Sequence, residues 1–182
     1  MGKLTTLDME LRLIRYFNHR VNTIVPNVSW GLSVHECDLL ILTPGNYLTE
    51  VEIKVSLSDL RADKLKTHGH ANSIISRLYF AIPDYLQEYS DLIPENAGIL
   101  IARTSDNAPR TPGLRNKEWF TGITKVREAK FNKFMVKDSV RNDLQRLGTM
   151  RIYGLKDKIN RLQKRLALNE TQKDIAKNNK NQ

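Results

Sequence analysis

Two stretches of unbroken apolar side chains, LYFAIP within RLYFAIP at 77–83 and GILIA within AGILIAR at 97–103, constrain this chain more than any other feature. A strand with one wet face alternates apolar and polar residues, whereas a strand covered on both faces reads as a continuous apolar run. Both stretches therefore predict central strands of a sheet with material packed on each side, an α/β arrangement rather than a sandwich. Helical spacing supplies the covering layers. Leu7, Leu11, Ile14 and Phe17 recur at that spacing, with Asp8 and Glu10 early in the segment, which predicts an opening helix over 6–20. Strand-like segments follow at Thr23 to Leu32, at 36–43 and at 47–55; the last two flank Pro44, Gly45 and Asn46 and are predicted to form a hairpin. A helix starting near Leu57, capped by Ser56 or Ser58, carries Asp59, Leu60, Asp63, Lys64 and Leu65 up to Gly69, with another helical piece through Ser76.

Beyond Arg103, loop signals gather at Asn107, Pro109, Pro112 and Gly113. From Asp138 the pattern is helical: Val140, Leu144 and Leu147 make one face, and Leu155, Ile159, Leu162 and Leu166 repeat at spacings of four, three and four. Gly148 is expected to break or bend this helix, and the lysine- and asparagine-rich stretch from Asn169 is too poor in apolar residues to fold by itself. The organisation predicted is a main domain over 1–137, a basic helical region over 138–168 and a disordered tail over 169–182. The single cysteine, Cys37, excludes a disulfide framework and a cysteine-built zinc site. The first twenty residues hold no apolar run of signal-peptide length, and no stretch reaches the eighteen apolar residues of a membrane span, so a soluble cytoplasmic protein is expected.

The segment HECDLLILTPGNYLTEVEIKVS, at 35–56, carries the chemistry, because charged residues interrupt strands where a purely structural sequence would place valine or leucine. Alternation puts Glu50, Glu52, Lys54 and Ser56 on one face of the second strand and Val51, Ile53 and Val55 on the other. In a hairpin, Asp38 on the neighbouring strand would project toward Glu52 and Lys54, gathering two carboxylates and an ammonium group. Paired carboxylates repel unless a hard divalent cation, magnesium or manganese, takes oxygen ligands from both. Such an ion activates water and neutralises charge on a phosphate, and Lys54 beside it would orient or deprotonate that water or hold the phosphate. The chemistry implied is hydrolysis of a phosphodiester. Glu36 and Glu50 read as solvated hairpin residues, and His68 and His70, which flank Gly69, as loop residues.

Asp38, thirteen intervening residues, then Glu52, Ile53 and Lys54 resembles the active-site signature of the PD-(D/E)xK nuclease superfamily. Within it, the run from HECDLLIL through VEIKVSLSDLRADK to RLYFAIP and ENAGILIAR, residues 35–103, resembles the MmcB-like DNA repair family. The resemblance implies a restriction-endonuclease-like mixed sheet flanked by helices. It implies Asp38, Glu52, the carbonyl of Ile53 and Glu10 as ligands of magnesium or manganese, and Lys54 as the catalytic lysine. Cys37 stands where the superfamily's name has proline, a position that is loose among its members.

Charge is divided along the chain. Residues 1–114 hold 11 basic and 13 acidic residues, net −2, and residues 115–182 hold 18 and 7, net +11. Lys125, Arg127, Lys130, Lys133, Lys137, Arg141, Arg146 and Arg151, with Trp119 and Phe120 just ahead of them, suit an arm that grips a phosphate backbone without reading bases. Ser56, Lys64, Lys130, Lys133, Lys137 and Arg141 are the expected DNA contacts, with branched or single-stranded DNA as the partner. The function expected is a metal-dependent deoxyribonuclease of repair, recombination or phage DNA processing. The alternatives are a catalytically inactive DNA-binding module of the same fold and an RNA nuclease. The apolar stripe from Leu155 to Leu166 suits packing on the domain or a homodimer through the C-terminal helix.

Overall fold

The computed structural model describes residues 3–29, 31–32, 36–64, 74–104 and 121–178. In chain order the elements are α1 (Thr6–Tyr16), β1 (Thr23–Val28), β2 (Cys37–Leu42), β3 (Leu48–Ile53), α2 (Leu57–Lys64), β4 (Arg77–Pro83), a 3-10 segment (Asp84–Leu92), β5 (Gly98–Ala102), β6 (Ile123–Arg127) and α3 (Asp138–Asn178). The strands form one six-stranded sheet in sequence order. β3, β4 and β5 run parallel, while β1, β2 and β6 are antiparallel to their neighbours. The α/β arrangement read from the apolar runs is thus the fold, and the sheet is mixed, as the family resemblance implies. The chain divides into two compact units, Met1–Gln145, which contains the sheet, and Arg146–Gln182, whose described residues are helical.

Each face of the sheet has its own core. On one, Met9 and Leu13 of α1 pack with Leu39, Ile41, Val51, Ile53, Tyr79, Ala81 and Leu100. On the other, Leu60 of α2 and Leu86 and Ile93 around the 3-10 segment cover Leu78, Phe80, Ile82, Ile99 and Ile101. Adjacent residues of β4 and β5 alternate between the two cores, which is why LYFAIP, after Arg77, and GILIA contain no polar positions. α1 begins at a capping box in which Thr5 accepts from the Asp8 amide and Asp8 accepts from the Thr5 amide. It ends at Tyr16, earlier than the predicted 20, because Asn18 takes a left-handed φ of 54° that a helix cannot absorb. β1 likewise stops at Val28 rather than continuing to Leu32, with Asn27 at φ 52° bending its end.

The hairpin is present. β2 and β3 pair antiparallel across a turn closed by the Thr43 N–H to Tyr47 carbonyl bond of 3.0 Å, with Asn46 at φ 60°. α3 runs through Gly148 and Gly154 without a break, contrary to the expectation for Gly148. A glycine inside a helix costs only about 1 kcal/mol against alanine, which the long run of leucine, lysine, arginine and glutamine around it absorbs. α3 also continues to Asn178, into the segment expected to be disordered. The predicted features at Leu65, Lys66, His68, Gly69 and His70, at Asn107, Pro109, Pro112 and Gly113, and at Trp119 and Phe120 lie outside the described residues.

Candidate metal and phosphate site

The site is assembled by strand register. Leu39 faces Val51 and Leu40 faces Glu50; continued by one residue, that register sets Asp38 opposite Glu52. The Asp38 carboxylate reaches across the hairpin, its Oδ2 accepting the Ile53 N–H at 2.7 Å. Glu52 and Lys54 lie two apart on one strand face, and Lys54 Nζ donates to Glu52 Oε2 at 2.8 Å. Lys54 is itself fixed by its N–H, which donates to the Ala81 carbonyl at 3.0 Å beside the end of β4. The three residues singled out by the sequence therefore converge at one end of β3.

Burial gives this cluster its meaning. Glu52 is 3% exposed and Lys54 4%. A buried ion pair returns less than well-packed apolar side chains of the same volume, because both charges lose their hydration. The fold would be served as well by leucine and methionine here. Glu50 is also buried, at 2%, which corrects its placement in solvent: β3 lies inside the sheet, so its polar face is covered as completely as its apolar one. Burial pushes the Cys37 thiol up, and the Glu50, Glu52 and Asp38 carboxylates push it further. Negative charge is concentrated around the start of β2.

Glu10, on α1, is half-buried. Burial raises its carboxyl above the ordinary value, the Asn27 side chain, donating at 3.3 Å, draws it down, and the Asp38 charge raises it again. Glu10 is thus within electrostatic reach of Asp38. Among the described residues, however, no three acidic, histidine or cysteine side chains come close enough to hold a metal ion together, so Glu10 does not join Asp38 and Glu52 in a common ligand cluster. What converges is a pair of carboxylates with the main chain of Ile53 between them. That hard-oxygen set suits magnesium or manganese, ions that keep several waters and are held by one or two carboxylates plus substrate phosphate oxygens.

The expected DNA contacts separate into two groups. Ser56 lies at the site end but is occupied as the cap of α2: its Oγ accepts the Asp59 N–H at 3.2 Å and lies 3.0 Å from Ser58 Oγ. Lys64 closes α2. Lys130, Lys133 and Lys137 belong to a segment without regular secondary structure that crosses the opposite end of the sheet, where Lys130 N–H bonds to the Asn96 carbonyl, Asn132 N–H to Ser76 and Val136 N–H to Asn46. Arg141 is also at that end and has a structural task, its Nη2 donating to the carbonyls of Thr43 at 3.1 Å and Pro44 at 3.3 Å and to the Asn46 side chain. These four do not line the carboxylate cluster. The sequence pattern missed Tyr85, which borders the site instead: it is 38% exposed and its hydroxyl donates to the Val55 carbonyl at 2.9 Å, next to Lys54. An exposed aromatic directly after the β4 run was the available signal.

A protein family described as DNA repair protein MmcB-like matches residues 6–119, which include α1, the hairpin and its charged residues. No curated protein matches the chain. Among solved structures, a protein of unknown function from Silicibacter pomeroyi, SPO1766, is similar with a TM-score of 0.58 at 20% identity, over 85% of this chain and 92% of that one. That likeness extends over both the sheet and part of the helical unit, and it concerns the fold.

Proposed function

The chain belongs to the MmcB-like DNA repair protein family, and from that membership we propose that it cleaves DNA phosphodiester bonds with magnesium or manganese at the Asp38, Glu52 and Lys54 cluster. The observation that supports this most is the burial of Glu52 and Lys54 as an ion pair at 2.8 Å, one strand away from a second carboxylate. Asp38 and Glu52, with the carbonyl of Ile53, would hold the ion. When bound, it would supply an activated water and neutralise charge on the phosphate.

The chain's own residues do the rest. Asp38 is oriented by the Ile53 N–H, so its carboxylate needs no reorganisation to act as a ligand. Lys54, anchored by Glu52, presents its ammonium beside the carboxylates, where it orients the attacking water or takes charge from a phosphate oxygen. Glu10 biases the same end of the sheet toward cations through its interaction with Asp38.

The test is incubation of the purified chain with plasmid, branched DNA, single-stranded DNA and RNA, with magnesium, manganese or EDTA. Metal-dependent DNA cleavage lost in Asp38→Asn, Glu52→Gln and Lys54→Met is expected; loss of a positioned acid–base group or ligand reduces such rates by at least about 100-fold. Cleavage that persists in all three would remove the assignment. Binding without cutting on every substrate would favour the inactive DNA-binding module, and preferential cutting of RNA would favour the RNA nuclease.

The second unit supports a dimer. Ile152, Leu155, Ile159, Leu162 and Leu166 are all exposed on α3, with Ile152 and Ile159 at one repeating position and Leu155 and Leu162 at the other. Isoleucine and leucine so distributed favour a two-stranded parallel coil. Sedimentation equilibrium of the full chain is expected to show a monomer–dimer equilibrium that Ile159→Asp abolishes.

A further inference from the structure

We propose that the segment Ala129–Lys137 is a binding ridge for single-stranded DNA, in which exposed aromatic and thioether side chains take unstacked bases and the lysines between them take phosphates. This deepens the DNA reading above by naming the form of the substrate, and it concerns a surface outside the 6–119 match and away from the carboxylate cluster.

The first argument is pattern together with exposure. The sequence AKFNKFMVK alternates lysines with Phe131, Phe134 and Met135. Lys130, Lys133 and Lys137 are exposed, and Phe131, Phe134 and Met135 are 38%, 43% and 54% exposed. The folded core has no use for Phe134 and Met135 at those positions: its anchors in this segment are Ala129 and Val136, both 4% exposed. Apolar rings set between cations match single-stranded nucleic acid, whose bases offer their faces while its phosphates offer charge. A duplex would meet the lysines equally well, but its base faces are stacked away from any side chain.

The second argument is rigidity. Backbone bonds to Asn96, Ser76 and Asn46 pin Lys130, Asn132 and Val136 across the starts of β5, β4 and β3. Ser76 Oγ donates to the Phe134 carbonyl at 2.8 Å, and the Phe134 N–H donates to Asn132 Oδ1 at 3.3 Å. Phe131 is locked between the Tyr47 ring, 5.1 Å away edge to face, and the Arg77 guanidinium, 4.0 Å above its centroid. The backbone is therefore held in place before any ligand arrives, so less ordering is lost on binding. Arg77, next to Phe131, adds a cation to the same ridge.

The location has a consequence for catalysis. The ridge crosses the end of the sheet where β3 begins and the carboxylates sit where it finishes, so the two are separated by the length of a six-residue strand, roughly 20 Å at about 3.3 Å per residue. A strand gripped on the ridge is held away from the cluster, and only an oligonucleotide that spans the sheet engages both.

The experiment is fluorescence anisotropy of the full-length chain with labelled dT20, U20 and a 20-base-pair duplex in EDTA, at several salt concentrations. Because no metal is present, the binding result stands whether or not the nuclease reading survives. Phe134→Ala with Met135→Ala is expected to weaken dT20 binding about tenfold or more and to leave duplex binding within about twofold, since each stacked base contributes on the order of 1–3 kcal/mol. Phe134→Trp is expected to restore dT20 binding. Both residues are on the surface, and a circular dichroism spectrum matching the parent verifies the fold. Equal loss on single strand and duplex, no loss on either, or tighter binding of U20 than of dT20 would each overturn the proposal.

Discussion

The two ends of β3 use charge in opposite ways. At one, Glu52 and Lys54 are buried as an ion pair beside Asp38; at the other, Lys130, Lys133 and Lys137 stand in solvent while Arg141 ties the β2–β3 turn to the start of α3. Exposed lysines are nearly free for a fold to keep, and their net contribution to stability is close to nothing. A buried ion pair is not free, because each partner is tolerated only through the other. On the functions proposed above, the buried end holds its charge for chemistry and the exposed end for a partner, with Arg141 the exception that serves the fold.

The largest effect that would break this contrast is on stability. Glu52→Ala removes the carboxylate paired with the buried Lys54 ammonium and is expected to destabilise the chain by about 3–5 kcal/mol, read as a fall in the urea midpoint at unchanged slope. Glu52→Leu combined with Lys54→Met removes both charges at similar volume and is expected to return stability to the parent level or above while abolishing cleavage. If the double variant were as unstable as the single one, the ion pair would be structural and the buried end would lose its functional reading.

Much of this contrast was legible in the sequence, because alternation is a local signal. The unbroken apolarity of LYFAIP and GILIA revealed strands buried on both faces, and the period of two placed Glu52 and Lys54 side by side before any pairing was known. What stayed hidden depends on neighbours distant in sequence. Glu50 read as solvated because nothing local announces that Leu40 and Leu78 flank it in the sheet. β6 escaped notice because an edge strand needs little burial: of ITKVR only Ile123 is fully buried. The sequence marks the lysines of 130–137 as a phosphate-gripping arm but gives no sign that Asn96, Ser76 and Asn46 draw that segment to the end of the sheet opposite the carboxylates.

A smaller effect tests the exception. Arg141→Ala removes the guanidinium that donates to Thr43, Pro44 and Asn46, and hydrogen bonds from a charged group contribute about 1.5–3 kcal/mol in total when their partners are left partly unsatisfied. A loss of roughly 2 kcal/mol is expected with little change in the affinity for dT20. If affinity fell while stability held, Arg141 would belong with the exposed lysines and the original expectation of a DNA contact would be restored.

The smallest effect separates two lysines of the exposed surface. Lys133 has its charge available to a phosphate, whereas Lys125 bonds to Glu128, which raises its pKa and offsets its charge locally. Each phosphate neutralised by a cation adds about 0.7 to the slope of log affinity against log salt for a single strand. Lys133→Ala is therefore expected to flatten that slope by somewhat under one unit and to weaken dT20 binding by a few-fold at low salt, with the difference vanishing as salt rises. Lys125→Ala should change neither quantity, since a pair that is already neutral releases no counterion on binding. The same slope lost from both would mean that net charge alone draws DNA to this end of the sheet. The position of the lysines among the phenylalanines would then carry no information.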